Sequence, residues 1–425
     1  MNPFHRRKYH AFLSHAHADH AIVDRLHVWL SQLAGVPVWF DAVHLPAGAM
    51  IATHLPEAIT HCRAMIIILS PRSIQSGWVK EEYEAALGQR TQFKNFRIIP
   101  VCIEECEVPG FLQTTKRIDL SRDACRLDAY AQLLAALYYD EVDLNFEKTR
   151  DVYVSRTWRD SEKTLADYVC RLLVKSGFRL IGDAEDHVSY RENRVESIIS
   201  SCGGLAAILP DRGQGQTSPH MLSEIRLAKE KGLPLLVVAE STVVENQSSD
   251  NLPGGLPKSV IRLDSNNLET SVTLLHRGIE KLGDDWRQPP HPHFSFYSTD
   301  FSECHAQRNK LIKDVLQRVS ATPCVMGDQI REGKIQEVIT NSISQASVFI
   351  ADISGDNLNT CIEVGIARGA NTRFHLVARE PRRRPPFMFR DQQVWHYADD
   401  VELLGMVHNI AYPYRRRVLN WELPQ

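Results

Sequence analysis

Three glutamates occupy matching places along this chain. Glu82, Glu224 and Glu363 each lie six residues after a small polar residue (Ser76, Ser218 and Asn357), and each falls in the first turns of a segment with helical character. The dipole of a helix favours a carboxylate near its N-terminus. At the mouth of a cleft the same group can stabilise developing positive charge or accept hydrogen bonds from sugar hydroxyls; on an open face it is a solvated acid. A second grouping points to metal chemistry. His15, His17, Asp19 and His20 follow the spacing H-x-H-x-D-H, and clustered histidines with an aspartate can hold zinc and activate water.

The elements that must position these groups recur three times. A short apolar strand ending in serine opens each stretch: Tyr9 to Ser14, Val152 to Ser155 and Phe294 to Ser298. Helix-period segments follow over 19–34, 160–176 and 301–319. Next come strands finishing on aspartate, Val36 to Asp41, Phe178 to Asp183 and Cys324 to Asp328, and then fully apolar strands, Met65 to Leu69, Leu205 to Leu209 and Val348 to Ile350. Continuous apolar strands between helices are what a parallel sheet covered on both faces requires. The prediction is an α/β chain of three consecutive flavodoxin-like, doubly wound modules over 1–140, 151–283 and 293–425, with linkers near 140–150 and at 283–292, where prolines end helical continuity. Ligands of such sheets bind beyond the carboxyl ends of the strands, so Ser14, Asp41, Ser70 and the start of the Glu82 helix should share one crevice.

That topology argues against zinc. Metallo-β-lactamase-fold hydrolases, which carry H-x-H-x-D-H, need several strands ahead of the motif, whereas only fourteen residues precede His15. His54 and His61 fall on an amphipathic segment, and no second ligand set follows. A turn leading into a polar helix start, with Asp19 near the dipole, is the expectation, and no metal is expected.

Three segments carry a family resemblance. They are Phe12-Leu13-Ser14-His15-Ala16; Trp39-Phe40-Asp41 with Leu45-Pro46-Ala47-Gly48; and Ile66-Ile67-Ile68-Leu69-Ser70-Pro71 followed by Ser76-Gly77-Trp78-Val79-Lys80-Glu81-Glu82. Together they make residues 8–137 resemble a bacterial Toll/interleukin-receptor (TIR) domain along its whole length. The last segment matches S-x-W-x-x-x-E, with Val79 where the family usually has cysteine. The resemblance implies cleavage of the nicotinamide–ribose bond of NAD⁺ as substrate, without a cofactor. It places the catalytic carboxylate on Glu82 rather than Glu81, with Ser14, His15, Asp41 and Trp78 lining the crevice. The chemistry fits, because breaking that bond builds positive charge on the ribose.

The second module keeps the layout with fewer marks: Pro210 stands where the first has Ser70, and no tryptophan accompanies Ser218. It reads as a degenerate TIR-like module for sensing or assembly. In the third, the run from Ile350 to Gly365, through Asp352, Asp356, Asn357 and Glu363, resembles the nucleoside 2-deoxyribosyltransferase-like group. In that group a helix-borne glutamate before a glycine attacks the sugar carbon. The resemblance implies a second ligand site, for a nucleotide or nucleotide-derived activator, at Asp352, Asp356, Asn357 and Glu363. Arg379, Arg382 to Arg384 and Arg415 to Arg417 can grip phosphate or be solvated surface. Neither a phosphate-binding G-x-x-x-x-G-K-[ST] loop nor a complete G-x-G-x-x-G is present, so nothing supports an ATPase or dehydrogenase.

Composition narrows the class further. The 425 residues are 43% hydrophobic and 24% charged with net charge −3, which points to neither nucleic acid nor a membrane surface as partner. No run of eighteen apolar residues occurs, and nine scattered cysteines without C-x-x-C pairs suggest free thiols in a reducing cytoplasm. The expectation is a cytoplasmic NAD⁺ nucleosidase of the TIR effector type. It would serve antiphage defence and be switched on when a ligand or partner protein drives homo-oligomeric assembly through TIR contacts. The alternatives are a non-enzymatic TIR adaptor and a nucleoside-processing enzyme using the third module.

Overall fold

The computed structural model describes residues 7–44, 57–75, 77–122, 126–138, 150–157, 159–182, 192–245, 252–268, 272–289, 294–320, 322–330, 334–355, 357–380, 389, 391–415 and 417–419. Three sheets are present. The first holds β1 (Tyr9–Ser14), β2 (Val38–Trp39), β3 (Cys62–Leu69), β4 (Arg97–Cys102) and β5 (Ile118–Asp119), all parallel, in the order β2-β1-β3-β4-β5. Every residue of β3 is buried, as a central strand covered on both faces must be.

The second sheet repeats that order with β6 (Arg150–Ser155), β7 (Phe178–Gly182), β8 (Leu205–Leu209), β9 (Leu235–Glu240) and β10 (Ile261–Leu263). The third does so with β11 (Ser295–Ser298), β12 (Cys324–Val325), β13 (Val348–Asp352), β14 (Phe374–Arg379) and β15 (Val394–Tyr397). The predicted fold class therefore holds: three five-stranded parallel sheets in one topology. One strand departs from the expected boundaries. β16 (Arg417–Val418), assigned by sequence to the third module, pairs antiparallel with β7 and extends the second sheet. Antiparallel addition at an open edge satisfies that edge's backbone groups.

The chain divides into two compact units, one of Met1–Asn2, Asp143–His293 and Tyr414–Gln425, the other of Pro3–Val142 and Phe294–Pro413. Within the latter, the first and third modules pack through equivalent features. The helices His20–Val28 and Ala306–Asp314 each run on into a five-residue π-helical turn, Trp29–Leu33 and Val315–Val319. Each turn packs against the last helix of the other module, Asp400–Ala411 and Arg126–Tyr138 respectively. Trp29 Nε1 donates to Val401 O at 2.9 Å, His408 Nδ1 donates to Ala34 O at 2.6 Å, and Gln307 Nε2 donates to Asp128 Oδ2 at 2.8 Å. Gly35 sits at φ +68°, a conformation that favours glycine, beside the Asn409 side chain. Among the described residues, no helix is long and apolar enough to cross a membrane.

In the other unit, Arg179 forms a two-pronged pair with Asp151, Nε to Oδ1 at 2.6 Å and Nη2 to Oδ2 at 2.8 Å, with both side chains buried. It joins β6 to β7, and its two parallel bonds are the favoured geometry for guanidinium and carboxylate.

Candidate functional site

β1 ends on Ser14 at the carboxyl edge of the first sheet, between β2 and β3. The helix Gly77–Gln92 brings Glu82 to the same edge. The Ser14 hydroxyl donates to Glu82 Oε2, and both residues are buried, Glu82 at 3% exposure. A solvated acid on an open helix face would not look like this. The strand-end hydroxyl thus fixes a buried carboxylate at the edge of the sheet.

His15 follows directly and is buried. Its pKa is lowered, chiefly by burial and further by neighbouring His20, while Asp41 pulls the other way, so the neutral imidazole is favoured. Asp41 opens a short helical turn, Asp41–His44, where the sequence predicted the end of a strand. An aspartate at a helix start is favoured by the dipole, and β2 stops at Trp39 accordingly. Trp78 lies in the Glu82 helix, but its side chain, with Ser76 and the Leu45 to Gly48 loop, lies outside what the structure describes.

Residues of the histidine cluster are engaged by neighbours within the module. Asp19 accepts from the Ser70 hydroxyl at 2.6 Å through Oδ2 and from Arg72 Nε at 2.8 Å through Oδ1, so its carboxylate clamps the end of β3. His15 Nε2 lies 3.4 Å from His20 Nδ1, and the rings of His15, His20 and His27 surround Phe40 at 5.3, 5.4 and 5.0 Å. Among the described residues no group of three His, Cys, Asp or Glu is placed to hold a metal ion. Phe40 as hub and Asp19 as clamp escaped the sequence reading, since their partners are remote in sequence.

The serine–glutamate pair recurs in the third module, where Ser298 at the end of β11 donates to Glu363 Oε2. Burial raises the Glu363 pKa, and the Ser298 bond partly offsets it. Glu363 and Asn357 line a cavity of about 270 Å³ with Thr299, Phe301, Asp328 and Thr360. Asn357 caps the helix Leu358–Gly369, accepting from Asn359 N at 3.0 Å. Asp352 does not line that cavity. Its carboxylate accepts from Tyr397 OH at 2.9 Å and from Ser354 N at 3.0 Å, with Arg308 Nη1 at 3.6 Å. Asp356 lies outside the described residues, as do Arg382 to Arg384 and Arg416. In the second module the pattern shifts: Tyr153, two residues before the strand-end Ser155, donates to Glu224 Oε1 at 2.8 Å.

Comparison with known proteins bears on the first module above all. A family model described as "TIR domain" matches residues 11–134. No curated protein matches the chain. Among solved structures, the TIR domain of the Toll-related receptor TRR-2 from Hydra magnipapillata is 21% identical, with 30% of this chain and 98% of that one covered and a TM-score of 0.27. A metazoan TIR-STING receptor from C. gigas, solved with 2',3'-cGAMP, is 21% identical over 36% of this chain and 59% of its own, at TM-score 0.25. The C-terminal domain of glucosamine-fructose-6-phosphate aminotransferase from Francisella tularensis is 12% identical over 69% and 95%, at TM-score 0.21.

Proposed function

We propose that the TIR domain at residues 11–134 cleaves NAD⁺, with Glu82 as its catalytic carboxylate. The observation that carries this reading is the buried Glu82, held by Ser14 at the carboxyl edge of the sheet. Cleavage breaks the bond between ribose C1 and the nicotinamide nitrogen. The bonding electrons pass to the pyridinium ring and neutralise it, while positive charge develops on the ribose. Glu82 opposes that charge across a poorly hydrated crevice, where a fixed carboxylate acts more strongly than in water. Water then adds at C1 and loses a proton, giving ADP-ribose; attack by an atom of the same molecule gives a cyclic product instead. Ser14 fixes the direction of the carboxylate, while His15, Asp41 and Trp78 line the substrate.

Assembly through TIR contacts, in the cytoplasm and in antiphage defence, belongs to the same proposal. The cavity at Glu363, Asn357 and Asp328 would receive a nucleotide-derived activator. A ligand switches such a system only by binding the assembled state more tightly than the free one.

The test is incubation of the purified chain with NAD⁺, with product analysis, beside Glu82→Gln and Glu81→Gln. Loss of nicotinamide release in Glu82→Gln alone is expected. Full activity in Glu82→Gln would sink the assignment, and intact NAD⁺ in the wild type under every activator tried would favour the adaptor reading.

A further inference from the structure

The second module's glutamate stands in a different setting from the other two. Around it is a cavity of about 310 Å³ at the carboxyl edge of β6 and β8, lined by Ser155, Arg156, Arg159, Arg212, His220 and Glu224 among others. That volume suits a small ligand. Its polar groups fall into two sets.

One set is cationic. The Arg156 guanidinium is buried, with Nη1 3.1 Å from Asp167. Arg159 and Arg212 both reach the single carboxylate of Glu162, at 3.3 and 3.2 Å. Three guanidiniums thus line one cavity, two of them sharing the single carboxylate of Glu162. The helix Pro219–Glu230, of 12 residues, starts at the same place, and Ser218 at its N-cap makes no side-chain capping bond. A helix start presents backbone N–H groups and positive dipole to an anion.

The other set accepts or donates to hydroxyls. The Glu224 carboxylate is oriented by Tyr153. Ser155 is 1% exposed, and its hydroxyl has no hydrogen-bond partner among the described residues. A buried hydroxyl without a partner is costly and calls for an explanation. In the first and third modules the equivalent serine is occupied by the glutamate; here Tyr153 takes that role and releases Ser155.

We infer that the second module binds a phosphate monoester of a sugar at this cavity, the phosphate against Arg156, Arg159, Arg212 and the Pro219 helix start, the sugar hydroxyls against Glu224 and Ser155. Guanidinium forks match phosphate oxygens in pairs. The Glu224 carboxylate in the same cavity disfavours a second anion and selects hydroxyls. Free sugar phosphates and nucleoside monophosphates share this chemistry, and the binding assay separates them.

The assay is calorimetric titration of the full chain carrying Glu82→Gln, which removes the activity proposed for the first module, with ribose 5-phosphate, AMP, ribose, adenosine and inorganic phosphate. At least one of the two esters is expected to bind at micromolar to sub-millimolar concentration, and ribose and adenosine at least tenfold more weakly. Binding by AMP alone identifies a nucleotide site; binding by ribose 5-phosphate alone, a sugar-phosphate site. The paired surface change Arg159→Gln/Arg212→Gln, chosen because both side chains are accessible, should weaken the ester at least tenfold. Ser155→Ala should weaken it as well, while Glu224→Gln should weaken the ester but not inorganic phosphate. Absence of ester binding at millimolar concentration overturns the inference, as does an affinity unmoved by the paired arginine change. Adenosine binding as tightly as AMP, or phosphate as tightly as either ester, overturns it equally.

Discussion

Trp29→Phe isolates the join between the first and third modules. Trp29 is 4% exposed, its indole nitrogen donates to Val401 O at 2.9 Å, and its ring meets Tyr130 edge-on at 4.4 Å. Phenylalanine keeps an aromatic body but loses the donor. One neutral hydrogen bond is worth about 0.5–1.5 kcal/mol net. The void left by the missing ring atoms adds about 1 kcal/mol at ~24 cal/mol per Å³. The sum, about 1.5–2.5 kcal/mol, corresponds to a midpoint lowered by roughly 3–10 °C in a body of this size. Gly405 allows little relief, because a Cβ at that position would already stand 3.1 Å from the indole nitrogen. Calorimetry should resolve the loss in only one of the two compact units, with faster amide exchange along Asp400–Ala411. A midpoint unchanged from wild type, together with unchanged exchange in that helix, would refute the reasoning.

Glu363→Gln should make the stability of its unit less dependent on pH. The folded pKa lies above the unfolded value because of burial, so this group's contribution is fully present below the unfolded pKa and is lost as pH rises through the folded one. The variant should therefore gain most over wild type near neutrality and least in acid, as thermal unfolding across pH will tell; a gain largest in acid would contradict it. Ser298→Ala, which removes the one bond that offsets burial, should move the transition to higher pH. Arg179→Met leaves Asp151 buried without its two-pronged partner and should cost about 3–5 kcal/mol in urea unfolding; a cost below about 1 kcal/mol would mean that the pair is solvated. Among the described cysteines, Cys304 is exposed and should alkylate first, while Cys170, whose thiol is pushed up to about 12 by burial, should react only on unfolding. Mass spectrometry of iodoacetamide-treated protein orders them.

The doubly wound fold class and the nearness of Ser14 to the Glu82 helix were legible because both follow from local pattern and one topological rule. A fully apolar strand such as β3 must be central, and the carboxyl edge of a doubly wound sheet gathers strand ends with helix starts. Asp352 was open to misreading, since its partners Tyr397 and Arg308 lie 45 and 44 positions away and no periodicity links them. Asp19 in the histidine motif shows the same limit, as Ser70 and Arg72 claim it from 51 and 53 residues on. Helical pattern announces an apolar face but not which helix will cover it, so the meeting of Trp29 with Val401 and of Gln307 with Asp128 could not be read from sequence.

The split of one compact unit between Pro3–Val142 and Phe294–Pro413 carries a consequence for biosynthesis. A ribosome needs about 14–54 s to extend from residue 142 to 413 at ~5–20 residues per second. Throughout that interval the nascent first module presents Trp29, Ala34 and Tyr138 with no Asp400–Ala411 helix to cover them, while the 143–293 segment builds its own parallel sheet in the meantime. Newly made chains thus pass through a long window in which the NAD⁺-cleaving module that we propose exists before its covering helix does. Chaperone dependence, and any premature activity of that module, would be concentrated in that window.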